Sequence, residues 1–203
     1  MITIEDMINY SRWELIEEPY FIALINTLRI NNVVSYVDVG ANVGEFSNIL
    51  FEQIPTLKDA YLIEPEEGNY EFLQNNIKNK INSYKVAIGY NLNSSVLIKD
   101  NNNAGGHHLT EIQYAGDSFS NVEIKTLEEL ELPIVDFIKI DIEGGELNVI
   151  ENSNYLQQIR WIDIEFHDYT SIDYIKRYFP RHDIMLCAFI GNTFRCFLKK
   201  KQH

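Results

Sequence analysis

Only two of the 203 residues are cysteine and five are proline, and no apolar run approaches the ~20 residues that a membrane-spanning helix requires. A disulfide framework and a helical membrane anchor are therefore excluded as the organising features of the chain. Basic residues are scarce as well, with 17 Lys and Arg against 30 Asp and Glu and a formal charge of −13. Affinity for nucleic acid comes largely from Lys and Arg contacts to phosphate, so nucleic acid is not expected as a partner. The one basic run, Lys199-Lys200-Lys201, reads as a solvated tail. Met1-Ile2-Thr3-Ile4-Glu5 lacks the charged-then-apolar pattern of a leader, which gives the expectation of a soluble, cytoplasmic protein. Cys187 and Cys196 fall on two neighbouring expected strands and could face each other; in such a compartment they read as free thiols.

What the chain does have is enough apolar residues for one core, at 45% hydrophobic and 12% aromatic. Residues 1–32 read as an N-terminal helical segment able to act as a lid, with helices over Ile4 to Ile30 broken at Pro19; residues 33–203 read as the main domain. Strands are expected over Val33 to Val39, Ala60 to Ile63, Ser83 to Ile88, Val135 to Asp141 and Ile159 to Phe166. Helices are expected over Gly44 to Gln53, Glu66 to Asn79, Leu127 to Glu131, Gly145 to Asn152 and Ser171 to Phe179. This alternation implies a parallel sheet with helices on both faces. The chain closes with Asp183 to Ile190 and Phe194 to Lys199 around Gly191-Asn192, which has hairpin composition. Asn91 to Asn121, rich in Asn, Gly and Ser and containing His107 and His108, breaks the rhythm and reads as a long functional connection.

The most informative segment is Val37-Asp38-Val39-Gly40-Ala41-Asn42-Val43-Gly44, followed by Glu64 at the end of the next strand. A strand, a glycine turn, a helix and a second strand closed by an acid form a nucleoside-cofactor corner, the acid accepting both ribose hydroxyls. A dinucleotide fingerprint would place a glycine where Asp38 stands, and a carboxylate there would repel a pyrophosphate. It would suit the cationic methionine end of S-adenosylmethionine.

With these pieces in place, the chain resembles the FkbM-type methyltransferases. The resemblance rests on the Asp38 to Gly44 turn, Ile63-Glu64-Pro65, Val86-Ala87-Ile88-Gly89, Asp136-Phe137-Ile138-Lys139-Ile140-Asp141-Ile142-Glu143-Gly144-Gly145-Glu146, and Glu165-Phe166-His167. It implies a Rossmann-like α/β fold, the seven-stranded class I methyltransferase sheet of order 3-2-1-4-5-7-6. It also implies S-adenosylmethionine as cofactor, held by Asp38, Gly40, Ala41, Asn42, Gly44, Glu64, Pro65, Ala87 and Asp141, and O-methylation of a sugar, glycan or other small-molecule hydroxyl. Two alternatives remain at this point: a cofactor-binding partner subunit without activity, and a nicotinamide-dependent oxidoreductase.

Methyl transfer to a hydroxyl needs alignment of the two partners and one base, so catalytic residues are sought at the C-terminal sheet edge. His167 is the expected base because imidazole titrates near neutral pH, with Asp141 orienting the acceptor and Lys139 paired to Asp141 or Glu165. Alternatively, Asp141, Glu165 and His167 would hold a divalent cation such as Mg2+. Tyr10, Trp13 and Tyr20 read as core aromatics or as part of a lid.

Overall fold

The computed structural model describes residues 18–77, 79, 81–90, 96–99, 108–110, 118–167, 170–190 and 193–202, with the backbone alone at 96–99, 108–110 and 118–121. The elements along the chain are α1 (Pro19–Ile30), β1 (Ser35–Val39), α2 (Glu45–Gln53), β2 (Asp59–Ile63), α3 (Glu67–Asn76), β3 (Asn82–Tyr84), β4 (Ala87–Ile88), β5 (Val96–Lys99), β6 (His108–Thr110), β7 (Ser118–Asn121), β8 (Ile124–Lys125), β9 (Phe137–Ile140), α4 (Glu146–Asn152), β10 (Trp161–Phe166), α5 (Ile172–Tyr178), β11 (His182–Ile190) and β12 (Thr193–Lys200).

Seven of the strands form one sheet, in the order β3-β2-β1-β9-β10-β12-β11. Numbered along the chain within that sheet, its members run 3-2-1-4-5-7-6. The strands β3, β2, β1, β9 and β10 are mutually parallel, and β12 returns antiparallel to β10 and to β11. The strand order reverses between β1 and β9, so the crevice at their C-terminal ends is where a ligand site is expected.

The sheet separates two cores because its strand residues alternate between faces. Tyr36, Phe137, Trp161 and Phe197 face a cluster completed by Tyr20, Phe21, Leu24 and Leu28 of α1, Phe46, Ile49 and Leu50 of α2, and Leu73 of α3. Val37, Ile138, Ile162 and Leu198 face the other, completed by Val149 and Ile150 of α4 and Ile175 of α5. Pro19 occupies the first turn of α1, where its missing N–H costs nothing. With Tyr20, Phe21, Leu24, Ile25 and Leu28 buried, α1 is part of the helical layer. Tyr10 and Trp13 lie outside the described residues.

Four expectations are corrected. The segment Ser83 to Ile88 is two strands: β3 stays in the main sheet, whereas Ala87 and Gly89 donate to the carbonyls of Glu123 and Lys125 and β4 pairs with β8 instead. The helix expected over Leu127 to Glu131 is a set of turns. The long connection after Ile88 contains a three-stranded antiparallel sheet, β6-β5-β7, which its Asn-rich composition did not suggest. The helix expected to reach Asn79 ends at Asn76. His107 and the turn at Gly191-Asn192 lie outside the described residues.

Candidate active site

At the tip of β1, Gly40 has φ 81° and donates its N–H to the Ile63 carbonyl. A Cβ on Gly40 would lie 1.7 Å from the Asp141 carbonyl oxygen, so this glycine lets the tips of β1 and β9 meet. Gly44, at φ 84°, caps α2 and leaves room for Ile77, which a Cβ would approach to 2.8 Å. Between them Ala41 is buried, and Asn42 takes φ 50°.

This turn brings the Asn42 N–H to Glu64. Glu64 Oε2 accepts from Asn42 N at 2.8 Å and Oε1 accepts from Glu66 N at 2.9 Å. Burial pushes the Glu64 carboxyl up to about 7, against the lowering effect of these two backbone donors. A carboxylate has about four acceptor sites, so with these two backbone donors and the Asn69 side chain in place capacity remains for a ribose hydroxyl. The side-chain oxygen of Asn42 is buried and has no hydrogen-bond partner among the described residues. An unsatisfied buried acceptor beside such a carboxylate fits a corner that is completed by a nucleoside ligand. Pro65 follows Glu64 and is half-buried, and Ala87 is buried in β4.

Asp38 has a different place from the one expected. It is fully buried, accepts from Ser47 Oγ at 3.0 Å, and lies 3.4 Å from Lys139 Nζ, although burial itself raises its pKa. It therefore neutralises a lysine and anchors α2, and its carboxylate does not face an ammonium from outside.

Asp38 belongs to a ladder of charge on one face of the sheet. Asp38, Lys139 and Asp163 are register partners on β1, β9 and β10, and Glu165 pairs with Arg195 across β10 and β12. Lys139 Nζ is 3.2 Å from Asp141, and the charges of Asp141 and Asp38 hold its pKa up against burial. Arg195 is buried and contacts Asp141 at 3.1 Å, Asp163 at 3.3 Å, and Glu165. Tyr20 of α1 donates to Asp163 at 2.6 Å, which makes it a core residue bonded to the ladder. Phe21 and Phe46 cover the two cations, the guanidinium at 4.6 Å and the ammonium at 5.5 Å from the ring centres.

At the open end of this ladder stands His167. Its Nδ1 lies 3.0 Å from Glu146 and its Nε2 lies 3.3 Å from Glu143, with Asp141 and Glu165 at 4.0 and 3.9 Å. Burial lowers the imidazole pKa, but the Glu146 hydrogen bond and the charges of Glu143 and Asp141 overcome this and raise it to about 9. The expected titration near neutrality is thus replaced by an imidazolium at pH 7. Burial raises Glu143 to about 7, aided by Asp141 and opposed by His167. Asp141 behaves oppositely, since Lys139, Arg195 and His167 outweigh burial and hold it below the usual carboxylate range.

Asp141, Glu165 and His167 do converge, their ligand atoms lying within 4.8 Å of one another. They do not fit a divalent cation. Arg195 is bound to both carboxylates and Lys139 to Asp141, so fixed cations already occupy the oxygen faces that a metal would need, and the imidazole is held protonated, without a free lone pair. The residues that sequence reasoning missed are Arg195 and Asp163. The signal for them was polar residues at every second position of apolar strands, as in Trp161-Ile162-Asp163-Ile164-Glu165 and Arg195-Cys196-Phe197.

A reversing parallel sheet with an antiparallel last hairpin, a glycine turn and an acid at the second strand tip is the class I methyltransferase arrangement. A crystal structure of the methyltransferase FkbM from Methylobacillus flagellatus KT is similar, with TM-score 0.57, 19% identity, and coverage of 82% of this chain and 44% of that one. M. capricolum TrmK in complex with S-adenosylhomocysteine gives TM-score 0.52 and 14% identity over 89% of this chain and 69% of that one. Trm1 from Pyrococcus horikoshii with S-adenosylmethionine gives TM-score 0.52 and 14% identity over 88% and 53%. No curated protein matches the sequence. The family model for the methyltransferase FkbM domain matches residues 38–188, and the chain belongs to that family. It spans less than half the length of the M. flagellatus protein. The nicotinamide-dependent alternative is set aside by this membership.

Proposed function

We propose that the chain is an S-adenosylmethionine-dependent O-methyltransferase acting on a hydroxyl of a sugar, a glycan or another small molecule. The observation that carries this reading is the juxtaposition, on neighbouring strand tips, of the Glu64–Asn42 corner with the solvent-reaching Glu143–His167 pair. The cofactor supplies a methyl group on a cationic sulfur. Glu64 would accept from the ribose, the Gly40 to Gly44 turn would bring backbone against the nucleoside, and Pro65 and Ala87 would line the adenine side.

Of the carboxylates at the sheet edge, Asp141, Asp163 and Glu165 are tied to Arg195, and Glu146 is fully buried. Among the described residues Glu143 has His167 as its one ion-pair partner and, 35% exposed in its side chain, is free to meet an acceptor. As the hydroxyl oxygen takes the methyl, its proton passes to a Glu143 oxygen, which His167 orients as a charged partner. Asp141 and Lys139 keep that pair in place. The acidic balance of the chain supports a small-molecule or glycan acceptor over nucleic acid. A partner subunit without activity would have no use for a proton acceptor placed there.

The test is calorimetry with S-adenosylmethionine, S-adenosylhomocysteine and NAD, followed by transfer of labelled methyl to a panel of sugars, nucleotide sugars and glycosides. Binding of both methionine-derived ligands, a labelled methyl ether and insensitivity to EDTA are expected. Tighter binding of NAD would overturn the cofactor assignment, and methylation confined to amines or nucleic acid would overturn the O-methyl assignment.

A further inference from the structure

On the face of the sheet away from the charge ladder, two thiols stand opposite each other. Cys187 on β11 and Cys196 on β12 are direct register partners, and their sulfur atoms are 2.9 Å apart. Both are free thiols. Cys196 is fully buried in the core that contains Ile164 and Leu198, whereas Cys187 is exposed on the outermost strand of the sheet. Two-step thiol exchange needs this asymmetry: an accessible sulfur to attack, and a shielded one placed to resolve the intermediate.

We propose that Cys187 and Cys196 form a reversible modification site, a dithiol that low-molecular-weight disulfides such as glutathione disulfide convert to a cross-strand disulfide. The Cys187 thiolate attacks one sulfur of glutathione disulfide, forming a mixed disulfide and releasing one glutathione thiolate. Cys196 then gives up its proton and attacks the Cys187 sulfur, expelling the second glutathione. Two protein S–H bonds are lost, one S–S bond is formed, and one glutathione disulfide is reduced to two glutathiones. Geometry sets the order of attack, and the hydrogen bond from Cys196, which pulls the Cys187 thiol down while its own is pushed up, favours the same order. The new bond fastens the edge strand to β12, the strand whose Arg195 gathers the carboxylates. The site does not depend on the methyl-transfer reading.

The experiment is to equilibrate the full chain with graded ratios of glutathione to glutathione disulfide and read its intact mass. The wild type is expected to lose two hydrogens without retaining glutathione, to regain them with dithiothreitol, and to melt about 5 °C higher when oxidised, as closing a short ring predicts. Cys196→Ala is expected to stop with one glutathione attached, and Cys187→Ser to stay unmodified. A wild type that remains reduced, accumulates the mixed disulfide or forms a linked dimer overturns the proposal. So does modification of Cys187→Ser as readily as Cys196→Ala. The wild-type masses decide on their own if a variant folds poorly.

Discussion

At the β1–β2 corner Glu64 is held by two backbone N–H groups from residues within a short stretch of chain, whereas around β9, β10 and β12 three carboxylates are held by one arginine from the last hairpin. The first corner is built by local backbone geometry and leaves a carboxylate with spare acceptor capacity. The second is built by charge pairing in a water-poor layer and leaves Glu143 as its most solvent-exposed carboxylate, with His167 and Asp141 partly exposed beside it. A ligand can complete the first corner; the second completes itself. It then serves as a rigid floor for the residues that meet the acceptor.

The largest effect should come from breaking that floor. Arg195→Ala leaves Asp141, Asp163 and Glu165 facing one another without their shared cation, and chemical denaturation should show a loss of about 3–5 kcal/mol. Glu64→Ala at the other corner leaves the Asn42 and Glu66 N–H groups without their acceptor but also relieves a carboxylate that burial disfavours, so it should cost less, about 1–3 kcal/mol, and a loss equal to that of Arg195→Ala would erase the distinction between the corners.

Next in size is the proton acceptor. Glu143→Gln should lower methyl transfer by about 10² to 10⁴ while S-adenosylmethionine affinity is kept. The active form has Glu143 ionised and His167 protonated, so the wild-type rate should rise through about pH 7 and fall above about pH 9. Because His167 lowers the Glu143 pKa, His167→Ala should move the acidic limb upward. An unmoved limb would detach Glu143 from the reaction.

Glu64→Ala should weaken S-adenosylmethionine binding by about 1.5–3 kcal/mol, the range for hydrogen bonds to a charged group, as read by calorimetry. The smallest effect is the pH dependence of that binding in the wild type. Folding raises Glu64 to about 7, so its anion costs stability at higher pH and that cost fades as pH falls through 7. Ribose binding uses the anion, and affinity should fall about tenfold between pH 8 and pH 6. A flat profile would mean that the carboxylate is not the ribose acceptor.

The sequence by itself determined the alternation of strands and helices, the closing hairpin and the Gly40–Glu64 corner, while the reversal of strand order at the first strand came from the family resemblance. Each of the first three depends on periodicity or on turn residues close together in the chain. Only the tertiary structure decided that Asp38 is buried beneath Lys139, that Arg195 fills the place considered for a cation, and that His167 is a cation at neutral pH. It also decided that Ser83 to Ile88 divides between two sheets. The physical reason is the same in every case: the pKa and the pairing of a buried charge depend on which strands lie beside it, and β12 meets β10 only after the chain has folded back 30 residues later.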